Sequence, residues 1–164
     1  MMAAAGASPT RQGAGPDPGS VSGTVLGFDF GERRIGVAVG ETATRIANPL
    51  GAIEASANEA RFREIDKLVK QWQPSAFVVG QPRHADGSEH AVAKLAGKFA
   101  RRLQARYQRP VVMVDETLTS ATAEADLRGV RTRAARKSDI DAMAAMLVLQ
   151  SYLDEPGARA HAAP

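Results

Sequence analysis

The apolar positions of this chain change period along its length. Over residues 24–30 (TVLGFDF) and 35–40 (IGVAVG) they follow one another or alternate, as in strands, and GERR turns between the two. So short a connection predicts an antiparallel hairpin. A third strand is expected over 46–53. From Asn58, a candidate N-cap, Phe62, Ile65, Leu68, Val69 and Trp72 recur at helical spacing up to Pro74. AFVVG, 76–80, is short and apolar throughout, the pattern of a strand buried on both faces. QPRHADG reads as a loop. Ser88 is placed to cap a helix that reaches Tyr107, with Val92, Leu95, Phe99 and Leu103 inward and Lys94, Lys98, Arg101, Arg102 and Arg106 outward. VVMV, 111–114, is a further buried strand. A helix is expected from Thr119 or Ser120 to Leu127, then a basic loop, RGVRTRAARK. The last helix, 139–153, is apolar on most faces and therefore buried. The order β-β-β-α-β-α-β-α-α predicts an α/β fold, a mixed sheet flanked by helices.

The ends read differently. Residues 1–22 hold only Met1, Met2 and Val21 as larger apolar side chains, among recurrent Gly and Pro. Such a stretch buries too little surface to offset its ordering entropy, so 1–22 is expected to be a disordered tail. Residues 155–164 look alike, which leaves 23–154 as one folded domain.

Composition narrows the chemistry. The chain has no cysteine, which excludes disulfides, iron–sulfur clusters, thiolate zinc sites and cysteine nucleophiles. No apolar run approaches the ~20 residues of a membrane span. No charged-then-apolar leader is recognisable, so a cytoplasmic protein is expected. The net charge of +3 hides a split. Residues 81–137 carry twelve basic and six acidic side chains, whereas 138–164 carry one and four. A positive middle suits either a solvated basic helix or a phosphate-rich partner.

Three acidic features stand out. Asp29 lies in an apolar strand, facing away from Phe28 and Phe30, with Gly27 and Gly31 on either side. A desolvated carboxylate costs several kcal/mol, roughly, unless it is partnered. Arg33, Arg34 or a metal ion are the candidate partners, and the two glycines are read as clearing space for an ion and a substrate backbone. Asp115 and Glu116 end the strand 111–114, where open α/β sheets place ligands, and in extended chain only one of them faces Asp29's side. Asp139 and Asp141 open the last helix, where Ser138 is a candidate N-cap and the acids also complement the helix dipole. Hard oxygen donors without Cys or suitably spaced His point to Mg2+ or Mn2+. A carboxylate cluster holding two ions ~3.5–4 Å apart is a known solution to phosphodiester hydrolysis.

FDFGERRIGVAVG, VVGQPRHADGSE, VDETLTS and KSDIDAMAAMLVLQSYL, in this order, resemble the motifs of the YqgF/RuvX family, assigned to pre-16S rRNA cleavage and earlier to Holliday junction resolution. The resemblance runs over 24–154 and implies an RNase H-like fold. It implies Asp29, Glu116 and Asp141 as a catalytic, metal-holding triad, with Asp141 preferred over Asp139, and leaves open whether Asp139 or Asp115 assists. It matches Gly31 at the first turn, Pro82, Asp86, Gly87 and Ser88 in the following loop, and Lys137 before the last acid, with Gly27 and Gly80 as further backbone positions. Arg34, Arg83, Ser88, Arg128, Arg131, Arg133 and Lys137 are the expected nucleic-acid contacts. Gln81, Arg83, His84 and Thr117 depart from the family pattern without removing a proposed ligand.

The expected activity is therefore metal-dependent endonucleolytic cleavage of precursor 16S rRNA, by a monomer or weak homodimer that meets the RNA free or on a ribosomal particle. The alternatives are a Holliday junction resolvase acting on branched DNA, and a non-catalytic nucleic-acid binding module. An ATP-binding fold of the actin and sugar-kinase type is disfavoured, because Glu32 in the turn would repel a triphosphate.

Overall fold

The computed structural model describes residues 21–81, 90–115, 137–155 and 160–162. Six strands form one sheet in the order β3-β2-β1-β4-β5-β6. β1 (Thr24–Asp29), β2 (Arg34–Glu41) and β3 (Ile46–Glu54) form an antiparallel meander. α1 (Asn58–Trp72) crosses to β4 (Ala76–Gln81), which lies parallel to β1. α2 (His90–Tyr107) leads to β5 (Val111–Asp115), parallel to β4. α3 (Lys137–Asp154) follows, then β6 (Ala160–Ala162), antiparallel to β5. The mixed sheet and flanking helices agree with the sequence reading.

The pleat sorts the sheet's side chains into two cores. Phe28, Ile35, Phe77, Val79 and Met113 pack with Phe62 and Ile65 of α1 and Phe99 and Leu103 of α2. Val25, Val78, Val112 and Val114 pack on the other face with Ala145, Val148, Leu149 and Tyr152 of α3. In α1, Phe62, Ile65 and Val69 line one side of the helix because they recur at 3.6-residue spacing. That helix ends where Gln73 turns left-handed at φ 48°, its N–H bonded to Val69 O at 2.9 Å, just before Pro74.

α3 lies unusually close to the sheet, and small residues permit it. A Cβ on Gly27 would come 2.8 Å from Leu149 Cβ, and one on Gly36 only 1.9 Å from the backbone oxygen of Asp141. Gly27 therefore admits the helix; it does not clear space for an ion and substrate, as the sequence suggested. Gly31 serves the hairpin, since a Cβ there would meet Arg34 O at 2.5 Å.

Three local expectations differ from the structure. The N-cap of α1 is Ala57, without a side-chain cap, and Asn58 is already helical. α3 includes Lys137 and Ser138, so Ser138 is not its cap. Ala160–Ala162 was expected to be disordered and instead pairs with Val112–Val114. Ladder pairing needs backbone groups, not large side chains, and β5 offers an otherwise unpaired edge. The helix expected near 119–127 lies outside the described residues, as does most of the N-terminal tail.

Candidate functional site

Asp29 is the last residue of β1. Val25 and Gly27 precede it on the α3 face, so the pleat turns Asp29 to that face too, opposite Phe28. It pairs with Gly36 on β2 and with Gly80 on β4. Both neighbours across the sheet therefore lack side chains, and the half-buried Asp29 carboxylate is not hemmed in by its own sheet.

The second turn of α3 closes over this row. Asp141 O sits above Gly36, the partner of Asp29. The Asp141 side chain turns toward β2, where Arg34 Nε donates to Oδ2 at 2.7 Å. Both side chains are partly buried, 30% exposed for Arg34 and 23% for Asp141. Among the described residues Arg34 is the side-chain donor to this carboxylate, and it binds Oδ2. Asp139 is exposed and Asp141 is partly buried. Lys137 lies one helical turn before Asp141, also exposed.

Asp115 ends β5 and pairs with Gln81. Met113, two residues earlier, belongs to the α1/α2 core, so alternation directs Asp115 to that face, away from Asp29. Of the candidate site residues, the structure brings together Asp29, Arg34, Gly80 and Asp141. Glu116, Pro82, Arg83, Gly87, Ser88, Arg128, Arg131 and Arg133 lie outside the described residues. Among the described residues no three His, Asp or Glu side chains form a metal-holding group.

Two residues of the site escaped the sequence reading. Gly36 hides in an apolar strand, and only its register opposite Asp29 reveals its use. Arg61 is a buried charge, 7% exposed, on α1. Its Nε donates to Ala55 O at 2.8 Å, its Nη2 to Gly31 O and Glu32 O, and its guanidinium lies 5.4 Å from the Phe30 ring centre. It thus ties down the turn that follows Asp29. Burial, then the nearby Arg102, pull its pKa below the ordinary arginine value, and Glu32 acts in the opposite sense. The available signal was its spacing: positions 61, 65, 68 and 72 share one helical face, and an arginine there is out of place.

Residues 23–155 match the model of the RuvX family, described as Holliday junction resolvase. The chain belongs to the RuvX family. A relative from Dechloromonas aromatica, named "Putative pre-16S rRNA nuclease", is 53% identical over 135 residues, covering 82% of this chain and 92% of its own. One from Methylobacillus flagellatus with the same name is 51% identical over 142 residues, covering 85% and 97%. Among solved structures, Thermus thermophilus RuvC in complex with Holliday junction substrate superposes with a TM-score of 0.57 at 18% identity, over 85% of this chain and 99% of that one. RuvC without that description of a substrate gives 0.52 at 17% identity. The fold of this RuvX chain is RNase H-like, and the chain is a nuclease of that family.

Proposed function

We propose that this protein is a divalent-metal-dependent endonuclease that hydrolyses phosphodiester bonds in precursor 16S rRNA, in the cytoplasm. The observation that carries this reading is the seating of the Asp141 backbone over Gly36, the strand partner of Asp29, at the carboxyl edge of the parallel strands. That edge is where α/β sheets bind ligands.

The donor set suits hard cations: two carboxylates on the α3 side of the sheet, Asp29 and Asp141, with Glu116 proposed as the third. Mg2+ or Mn2+ held there would supply an activated water and neutralise charge on the phosphate. The chain's own groups do the rest. Asp29 is fixed by a central strand and so varies little in position. Arg34 orients the Asp141 carboxylate and offsets its charge. Lys137, with Arg34 and the proposed contacts Arg83, Ser88, Arg128, Arg131 and Arg133, would position backbone phosphates, in the monomer or a weak homodimer.

The family description and the RuvC likeness favour one second reading, cleavage of a four-way DNA junction. The test presents an end-labelled precursor 16S leader, free and on precursor particles, beside a four-way junction, with Mg2+, with Mn2+ and with EDTA. Cleavage of the RNA that EDTA abolishes is the expected result. Cleavage of the junction alone would replace this reading with the resolvase.

A further inference from the structure

Two clefts open on the face of the sheet away from α3, between α1 and α2. The one that reaches the β1–β2 turn has a volume of about 550 Å3 and is lined by Arg33, Arg61, Lys98 and Arg102, with Glu32 the one acid among its described lining residues. Phe30 and Phe99 form its floor, and Leu95, 37% exposed, stands at its wall. The second, of about 710 Å3, shares Asn58 and Arg102 with it and continues along α1 and α2.

Not all these cations are available. Arg61 is committed to backbone carbonyls, and Arg106, in the second cleft, to Asp66. Arg33, Lys98 and Arg102 are exposed and have no ion-pair partner among the described residues. Arg102 also lies close enough to Arg61 to oppose its charge. Gathering like charges around an apolar floor is unfavourable until an anion joins them.

The cleft is continuous with the acid site through one turn. Arg33 and Arg34 are consecutive, yet Arg34 reaches Asp141 on the α3 face while Arg33 lines the cleft. A polyanion crossing the β1–β2 turn therefore meets cations on both sides of it. The cleft's volume is that of a drug-sized ligand, which suits a nucleotide or two of single strand and not a duplex. The apolar floor and Leu95 offer a surface for a base or ribose.

We propose that this cleft is a second phosphate-binding track, in which Arg33, Lys98 and Arg102 hold backbone phosphates of single-stranded RNA flanking the cleavage site. The proposal rests on the reading of the protein as an RNA nuclease.

The test is fluorescence anisotropy with the full chain and a labelled 20-nucleotide single strand of the precursor leader, in Ca2+ buffer, over a series of salt concentrations. The K98E/R102E variant is expected to bind at least tenfold more weakly, with a salt slope shallower by about 1.4, two lost phosphate contacts at roughly 0.7 each. R33Q should weaken binding in the same direction, and it stands as the independent test if the double variant fails to fold. K67E/K70E, on α1 away from the cleft, should bind as wild type does. Unchanged affinity and slope in folded K98E/R102E and in R33Q would overturn the track and leave the nuclease reading intact. Binding of poly-glutamate in preference to the RNA, lost in K98E/R102E, would overturn it in favour of an acidic protein partner. A wild type that binds no RNA would overturn both.

Discussion

Arg34 Nε lies 2.7 Å from Asp141 Oδ2, joining the first residue of β2 to the first turns of α3 across 107 positions of sequence. This pair holds a proposed metal-ligating carboxylate in place at β2, the strand next to Asp29. Arg34→Gln should lower cleavage about 10- to 100-fold, by the cost of misplacing a reacting group. Its effect on stability should be on the order of 1 kcal/mol or less, because the pair is partly solvated. Arg34→Lys should recover only part of the rate, since an ammonium lacks the planar guanidinium geometry. Single-turnover cleavage and thermal unfolding check both points, and full activity in Arg34→Gln would remove its positioning role.

Gly36 is the contact that lets α3 approach. Its substitution by Ala would place a Cβ 1.9 Å from Asp141 O, a backbone atom that cannot rotate away. Gly36→Ala should destabilise the protein by about 1–3 kcal/mol and depress cleavage in the fraction that folds. Denaturant titration with a parallel cleavage assay tests this, and near-wild-type values in both would contradict the close approach.

Arg61 tethers the turn after Asp29 by bonds to the Gly31 and Glu32 carbonyls and ties it to Ala55 O, just past the end of β3. Arg61→Ala should cost on the order of 2 kcal/mol, as buried charge-assisted hydrogen bonds do. Amide exchange at Gly31 and Glu32 should accelerate more than exchange in β4. Equal acceleration throughout would make Arg61 a general core residue instead.

Asp66 joins α1 to α2: Arg106 donates to both its oxygens at 3.1 and 2.8 Å, and Tyr107 Oη donates at 2.5 Å. The Arg106 hydrogen bond first, and Tyr107 second, hold the Asp66 carboxyl below the usual aspartate range. Its folded pKa is thus depressed. The stabilisation is present above the unfolded value of about 4 and is lost as pH falls through the lower folded value. Between pH 5 and 2, wild type should lose more stability than Asp66→Asn. Parallel stability curves for the two would contradict this.

Much of this was legible in the chain because the relevant signals are local. Phe28 and Phe30 flanking Asp29 told which way Asp29 faces, and the spacing of Phe62, Ile65 and Val69 told the inner face of α1. What escaped depends on register and approach. Nothing in IGVAV says that Gly36 lies opposite Asp29 or under Asp141, because strand pairing and helix docking are set by residues far apart in sequence. The purpose of Gly27 was misread for the same reason. Residue type alone favours Asn58 as the cap of α1, while the chain places Ala57 there. Ala160–Ala162 has no apolar pattern to betray a strand; its partner is a backbone edge.

The central claim is that Asp29 performs chemistry. Its most direct measurement is cleavage of an end-labelled precursor 16S leader by wild type and Asp29→Asn side by side, with Mg2+ or Mn2+, after both show the same unfolding temperature. The account predicts cleavage by wild type and a loss of at least 100-fold in Asp29→Asn, the order expected when a group acting in the transition state is removed. Equal cleavage by the two proteins would contradict it.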